Sequence, residues 1–325
     1  MNKGFWKLLN KPILILAPMA GVTDTVFRQI VAKYGRPDVF FTEFVSCDGL
    51  CSTGRDNLLR DLEYSESERP IVGQIFSSKP ENFYKTAQLL QELKFDGIDI
   101  NTGCPDRSVE KQGAGAALIR NPELIKRIIR ETKRGAKNLP VSVKTRLGYD
   151  KDIIHDWLRH LLEVEPVAVS IHARTRNEMS KVPANWNAIK LAVEIRDEVK
   201  SESLIIGNGD ITSLQEAQIM VEQTGADGVM IGRGIYGNPW LFNRNKFRNE
   251  MSWNKRLDVL LEHALLFDAT YGSNKNFAIM RKFFNAYVSG HPAAKSLKMR
   301  LMETGNATQV AQVINDYVSG GNSRI

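Results

Sequence analysis

The sequence predicts an α/β chain, a (β/α)8 TIM barrel followed by a C-terminal all-helical domain, on three observations. Eight short apolar, β-branched runs recur between longer amphipathic stretches before Trp240. Those runs are continuous rather than alternating, which is how parallel strands covered on both faces read. After Trp240 the strand pattern stops and only helical periodicity continues. A doubly wound sheet is the alternative, and it explains eight alternating units less well.

The expected strands are 13–19, 39–44, 71–76, 97–101, 141–146, 168–172, 204–208 and 228–232, with helices such as 122–132 and 213–224 between them. The tail reads as helices over 254–269, 277–289 and 307–317, and the domain boundary is placed at 243/244. The expected barrel domain is 1–243 and the expected helical domain 244–325.

Composition agrees with this organisation. With 325 residues and 42% apolar content, the chain can bury one large core and carry a small second domain. The 44 Lys and Arg against 37 Asp and Glu leave +7, which suits a polyanionic partner without requiring one. Cys47, Cys51 and Cys104 are too few and too unevenly spaced for a disulfide framework, and no CxxC zinc signature is present. A reducing cytoplasm and no metal are therefore expected, and a monomer is the starting expectation for the chain. The lysines before Ile13-Leu14-Ile15-Leu16-Ala17 imitate a signal peptide, but the run is short and passes at Pro18 into barrel-like sequence, so a first strand is the better reading. No stretch approaches the ~20 apolar residues of a membrane span.

Nearly every strand ends in a residue that a core does not need: Met19, Glu43, Gln74, Asn101, Lys144, His172, Asn208 and Arg233. In a barrel these ends converge with the βα loops on one face, where active sites form. The loops after strands seven and eight, Gly207-Asn208-Gly209-Asp210 and Ile231-Gly232-Arg233-Gly234, are placed to hold a phosphate through backbone N–H groups and the Arg233 charge. Tight turns are the plainer use of those glycines. Lys144 and His172 would face the same mouth. A fixed cation near the N1/C2 edge of an isoalloxazine stabilises its anionic reduced form, so the lysine plus a phosphate nest suggests FMN. A buried salt bridge is the competing use of Lys144, although no acid flanks it in its strand. Gln74 offers an amide that matches the flavin's pyrimidine edge.

Cys104 lies just beyond strand four, in Asp99-Ile100-Asn101-Thr102-Gly103-Cys104-Pro105. A thiol of ordinary pKa is mostly protonated at neutral pH and can serve as an acid. A lone cysteine is more often a small buried hydrophobe; its place among the strand ends argues for chemistry. Cys47 and Cys51, on a helix-like stretch after strand two, are read as structural.

From Lys246 onward eleven Lys and Arg face six Asp and Glu, so +5 of the +7 lies in the tail. Arg281 and Lys282 sit on one helix, and Lys295, Lys298 and Arg300 on the next. Charge alone leaves a solvated face and a polyanion contact both open.

Six ordered segments, residues 17–24, 101–105, 143–148, 171–176, 208–211 and 232–233, resemble the bacterial tRNA-dihydrouridine synthases. The resemblance runs from residue 17 to about 241 and continues more loosely to Arg281-Lys282 and Tyr287. It implies FMN bound by Pro18, Met19, Ala20, Gln74, Lys144, His172, Asn208, Gly209, Asp210, Gly232 and Arg233, with NADPH as the electron source. It also implies hydride delivery to C6 of a uracil in tRNA while Cys104 protonates C5. Asn101 would hold the uracil edge, Arg174 and Arg176 would meet the base or its phosphate, and Arg281 and Lys282 would contact the RNA. The family often has His-Gly-Arg-Thr where this chain has His172-Ala173-Arg174-Thr175. Two rivals are an FMN barrel acting on a small pyrimidine metabolite, which would need no basic tail, and an RNA-binding protein without catalysis. Cys104, Lys144 and His172 occurring together speak against the second.

Overall fold

A computed structural model describes residues 2–246, 248–290 and 293–319. Its internal contacts divide the chain into two compact units, one comprising residues up to Thr25 with Pro37–Gly232, the other Val26–Arg36 with the residues from Arg233 onward.

In the first unit the strands are β1 (Ile13–Leu16), β2 (Phe40–Phe41), β3 (Val45–Ser46), β4 (Ile71–Phe76), β5 (Gly97–Asn101), β6 (Val141–Arg146), β7 (Ala168–His172), β8 (Leu204–Asn208) and β9 (Gly228–Ile231). All pair in parallel, in the order β1-β9-β8-β7-β6-β5-β4-β2, with β3 also on β4. A parallel bridge from Ile15 to Val39 brings the open edge back to β1, so the sheet is a nearly closed eight-stave barrel. The stave expected over 39–44 comes in two pieces because Thr42 intervenes: its hydroxyl accepts from the Gln74 N–H at 3.0 Å, taking a position that a carbonyl would hold in the ladder. The first stave stops at Leu16 rather than Met19, since Pro18 has no N–H and the Met19 N–H donates to Thr23 Oγ1 at 2.9 Å in a turn.

Local rules place the covering helices. Pro80–Glu92 and Pro122–Ala136 each begin with proline, which suits the first turn, and Asn121 caps the second by accepting from the Leu124 N–H at 3.1 Å. Ser213 caps Leu214–Thr224, and Gly225, at φ +73°, ends it in the left-handed region.

Inside the barrel the inward residues alternate with outward ones, and they sort by height. The floor is apolar: Ile13, Ile15, Val39, Phe41, Val72, Ala168, Ile206 and Met230 pack together with Trp6 from the 3-10 helix Gly4–Leu8. Each of the valine, isoleucine, phenylalanine and methionine side chains among them is worth roughly 1.5–3 kcal/mol of burial.

The second unit is helical, with Trp253–Tyr271, Arg281–Val288, Ala294–Met302 and Ala307–Ser319. The helix expected over 277–289 begins as a 3-10 turn, Phe277–Met280, capped by Asn276. Its core is aromatic: Phe27 stacks on Phe283 at 5.0 Å, and His263 meets Phe283 edge-on at 4.6 Å. Among the described residues no helix is long and apolar enough to cross a membrane.

Candidate active site

Above the apolar floor the inward positions turn polar on β4 to β8. Gln74 pairs in register with Asp99, Asp99 with Ser142, Asn101 with Lys144, Lys144 with Ser170, and His172 with Asn208. Directly opposed residues share one face, so these side chains form a continuous polar tier under the strand ends. Asp99, Ser142 and Ser170 escaped the sequence reading, although their spacing of two from Asn101, Lys144 and His172 within otherwise apolar strands was the available signal.

The tier is tightly connected. Gln74 Nε2 donates to Asp99 Oδ2 at 2.7 Å, Ser142 Oγ donates to Asp99 Oδ1 at 2.6 Å, and Asn101 Nδ2 donates to Gln74 Oε1 at 3.0 Å. Burial pushes the Asp99 carboxyl up to about 6, against the opposing effect of its two donors and of Lys144.

Cys104 follows β5 on a loop held at both ends of its peptide. Its N–H donates to Asn101 Oδ1 at 2.9 Å, and its carbonyl accepts from the Ala116 N–H at 2.9 Å. The half-buried thiol rests against Phe76, Val109 and Ala114. Burial raises its pKa above the usual thiol range, more than Lys144 and Arg146 lower it. The group is therefore a neutral S–H at neutral pH, suited to donating a proton rather than to nucleophilic attack.

Lys144 donates to Asn208 Oδ1 at 3.3 Å, and Asn208 is oriented by donating to the Met230 carbonyl at 2.7 Å. Desolvation first, and then Arg146, push the ammonium down to about 8. A half-buried, desolvated cation whose hydrogen bond goes to a neutral amide favours an anionic partner. Beside it Ser170 Oγ is buried with no hydrogen-bond partner among the described residues. The glycine loops suit close backbone approach: Gly209 has φ +141°, and a Cβ there would meet Ala184 at 2.7 Å. A Cβ on Gly232 would lie 3.6 Å from both Ala17 Cβ and Met19 Sδ, so the turn carrying Pro18, Met19 and Ala20 adjoins that loop. An unfilled buried hydroxyl, an under-partnered lysine and two glycine loops on neighbouring strands fit a planar group with a polar edge and an anionic tail, as a flavin mononucleotide has.

The arginines are placed differently from one another. Arg174 is only 2% exposed; it donates to the Val182 carbonyl at 2.6 Å, lies 3.1 Å from His172 Nε2 and ion-pairs with Asp210. Its guanidinium braces the loop after β7. Arg176 grips Glu110 with two N–H groups and lies over Tyr149, so it ties the Cys104 segment to that same loop. Arg146, missed as a functional residue, donates to the carbonyls of Gly103 at 2.8 Å and Thr175 at 3.0 Å from a nearly buried position. Arg233 is exposed and opens the second compact unit, where Arg281 and Lys282 begin one helix.

Fold and site together define a class, the (β/α)8 barrels with a polar tier beneath the ends of the strands. Solved structures of this fold include histamine dehydrogenase from Rhizobium sp. 4-9, with a TM-score of 0.54 and 12% identity over 78% of this chain and 48% of that one. A 2-naphthoyl-CoA reductase has a TM-score of 0.55 and 9% identity over 71% of this chain and 49% of that one. At such identities the likeness is one of fold.

Sequence narrows the class. The dihydrouridine synthase family model matches residues 15–319. A probable tRNA-dihydrouridine synthase of Staphylococcus aureus (strain MRSA252) is 42% identical over 320 residues, 98% of this chain and 96% of that one. A probable tRNA-dihydrouridine synthase 2 of Bacillus subtilis (strain 168) is 42% identical over 98% of this chain and 97% of its own length. The chain belongs to the dihydrouridine synthase family and is a flavin-dependent oxidoreductase. The match extends through the helical region, which does not favour the small-metabolite alternative.

Proposed function

We propose that the enzyme reduces the C5–C6 double bond of particular uridines in tRNA to 5,6-dihydrouridine, with FMN as its flavin and NADPH as electron donor, acting as a cytoplasmic monomer. The observation that carries this reading is the neutral, half-buried Cys104 thiol on a fixed loop next to the buried polar tier that holds Lys144.

Pro18, Met19, Ala20, Lys144, His172 and Asn208 would hold the flavin, Gln74, wholly inaccessible, would support them from behind through Asn101, and Gly209, Asp210, Gly232 and Arg233 would hold its phosphate. Bound there, reduced FMN supplies the hydride that C6 accepts, since conjugation to the C4 carbonyl makes C6 electrophilic. Cys104 holds the proton for C5, and its raised pKa keeps that proton in place until the developing enolate draws it off. Lys144 stabilises negative charge in its neighbourhood. Asn101 would meet the uracil edge through its remaining N–H. Arg174, whose guanidinium is occupied internally, would act by holding the loop after β7, and Arg176 by fixing the Cys104 segment to it.

A base within folded RNA must be unstacked and flipped to reach such a site, at a cost of a few kcal/mol. The helical region from residue 244 is the proposed tRNA-binding domain: phosphate contacts from Arg281, Lys282 and the other basic residues of the tail would offset that cost and make binding salt-dependent.

The test is the visible spectrum of the purified protein, followed on adding NADPH and then unmodified tRNA. Flavin bands that bleach with NADPH and return anaerobically only with tRNA are the expected result. A protein that stays colourless after incubation with FMN would overturn the reading.

A further inference from the structure

We infer that Asp99 is a positioning residue: acting through the side-chain amides of Gln74 and Asn101, it dictates which end of each amide faces the Cys104 loop and so fixes that loop's backbone.

The argument rests on donor and acceptor inventory. An ionised carboxylate only accepts hydrogen bonds. Asp99 accepts from Ser142 Oγ at 2.6 Å on one oxygen and from Gln74 Nε2 at 2.7 Å on the other. Gln74 must therefore turn its NH2 end to Asp99 and its carbonyl end to Asn101, whose Nδ2 donates to it at 3.0 Å. Asn101 is thereby left with its own oxygen toward the loop, where it accepts from the N–H groups of Gly103 at 3.1 Å and Cys104 at 2.9 Å. Reversing any one amide would set donor against donor along the chain. Asp99 and Gln74 are wholly inaccessible and Asn101 nearly so, which leaves no solvent to repair a mismatch. Burial pushes the Asp99 carboxyl up to about 6, against Ser142, Gln74 and Lys144, so the ionised carboxylate that the scheme requires prevails at pH 7 and above. The opposite side of the loop is fixed separately, by Arg146 Nε on the Gly103 carbonyl at 2.8 Å.

The scheme rests on the proposed function only in giving Cys104 its role as proton donor; the loop geometry does not depend on it. The experiment accordingly uses the full-length protein freed of flavin and reads, by peptide-resolved mass spectrometry, amide hydrogen exchange over residues 101–106 and the rate of Cys104 alkylation by iodoacetamide. In Asp99→Asn the residue at 99 can donate, the amide chain can reverse, and exchange of the Gly103 and Cys104 amides should rise about tenfold, the equivalent of one lost hydrogen bond. Cys104 alkylation should accelerate alongside it.

Combining Asp99→Asn with Gln74→Glu should restore protection. The carboxylate at 74 then accepts from both amides, Asn101 regains its orientation, and the number of buried carboxylates is unchanged. Native exchange in the single variant, or a loosened loop that the paired variant does not restore, would overturn the scheme, the latter by showing that packing rather than amide polarity matters. If the single variant does not fold, the paired variant decides alone: folded with protected amides supports the inference, folded with exposed amides refutes it. Dihydrouridine formation by the flavin-loaded variants separates the two claims, since a loosened loop with undiminished product would count against the role of Cys104 and leave the placement of Asp99 standing.

Discussion

The thiol of Cys104 and the imidazole of His263 show how burial alone gives two side chains opposite uses. At Cys104 burial raises the pKa and keeps a proton available. Replacing it by alanine should leave flavin colour and NADPH oxidation intact while abolishing dihydrouridine, measured by nucleoside analysis of the tRNA; full product formation by Cys104→Ala would remove the acid role. At His263, 1% exposed in an aromatic core, burial pushes the imidazole down to about 3 from 6.5. Between those values the unfolded chain binds a proton that the folded one does not. This contribution to stability is therefore complete above pH 6.5 and is lost as pH falls toward 3. The loss at pH 4 is about 3 kcal/mol. His263→Phe should flatten the acid limb of Tm against pH, and an unchanged limb would show that other groups set it.

Individual elements carry the site because each strand offers alternate residues to one face and each following loop can be pinned by its neighbour. The Cys104 loop is the clearest case. It is fixed by Asn101 below, by Ala116 at the carbonyl, and by Gly115, whose φ of +60° lets the chain turn against it. A Cβ at Gly115 would lie 2.8 Å from the Cys104 carbonyl oxygen and 2.8 Å from Val109. Gly115→Ala should therefore lower stability by about 1–2 kcal/mol, through strain and displacement, and reduce product formation while the flavin stays bound. Unchanged Tm and turnover together would mean that the loop has more freedom than its contacts imply. Much at this scale was legible beforehand: Gln74, Asn101, Lys144, His172 and Asn208 stood out as polar residues on apolar strands, and all five lie on the inward tier. Asp99, Ser142 and Arg146 did not stand out, because their importance lies in partners beyond their own strands, up to 43 residues away in the Arg146–Gly103 bond, and Ser170 did not because its hydroxyl has no partner among the described residues.

For the whole molecule, the chain's order and its compact units do not coincide. Val26–Arg36 lies within the barrel's portion of the sequence yet joins the residues after Gly232. Phe27 stacks on Phe283, Lys33 and Tyr34 both reach Glu262 at 2.6 Å, and Asn243 Nδ2 donates to the Tyr34 carbonyl at 3.0 Å. Cutting the chain after Trp240 would strip this segment of those partners and expose Phe27. The truncated protein is expected to be aggregation-prone, checked by its solubility and by sedimentation. A soluble, monomeric, cooperatively unfolding fragment would show that the segment needs none of them.

The sequence by itself determined the eight-stave barrel, the helical tail and the polar positions near the ends of the strands. These follow from periodicity, from proline and glycine punctuation, and from polar residues set in apolar strands, all of which act over a few neighbouring residues. Only the tertiary structure decided that Arg174 is turned inward, that Thr42 splits the second stave, that Val26–Arg36 joins the tail, and that a buried carboxylate stands behind the Cys104 loop. Each of these depends on which distant side chain supplies a hydrogen-bond partner or an apolar surface. Such pairings cross strands and loops far apart in the chain, and no local spacing encodes them.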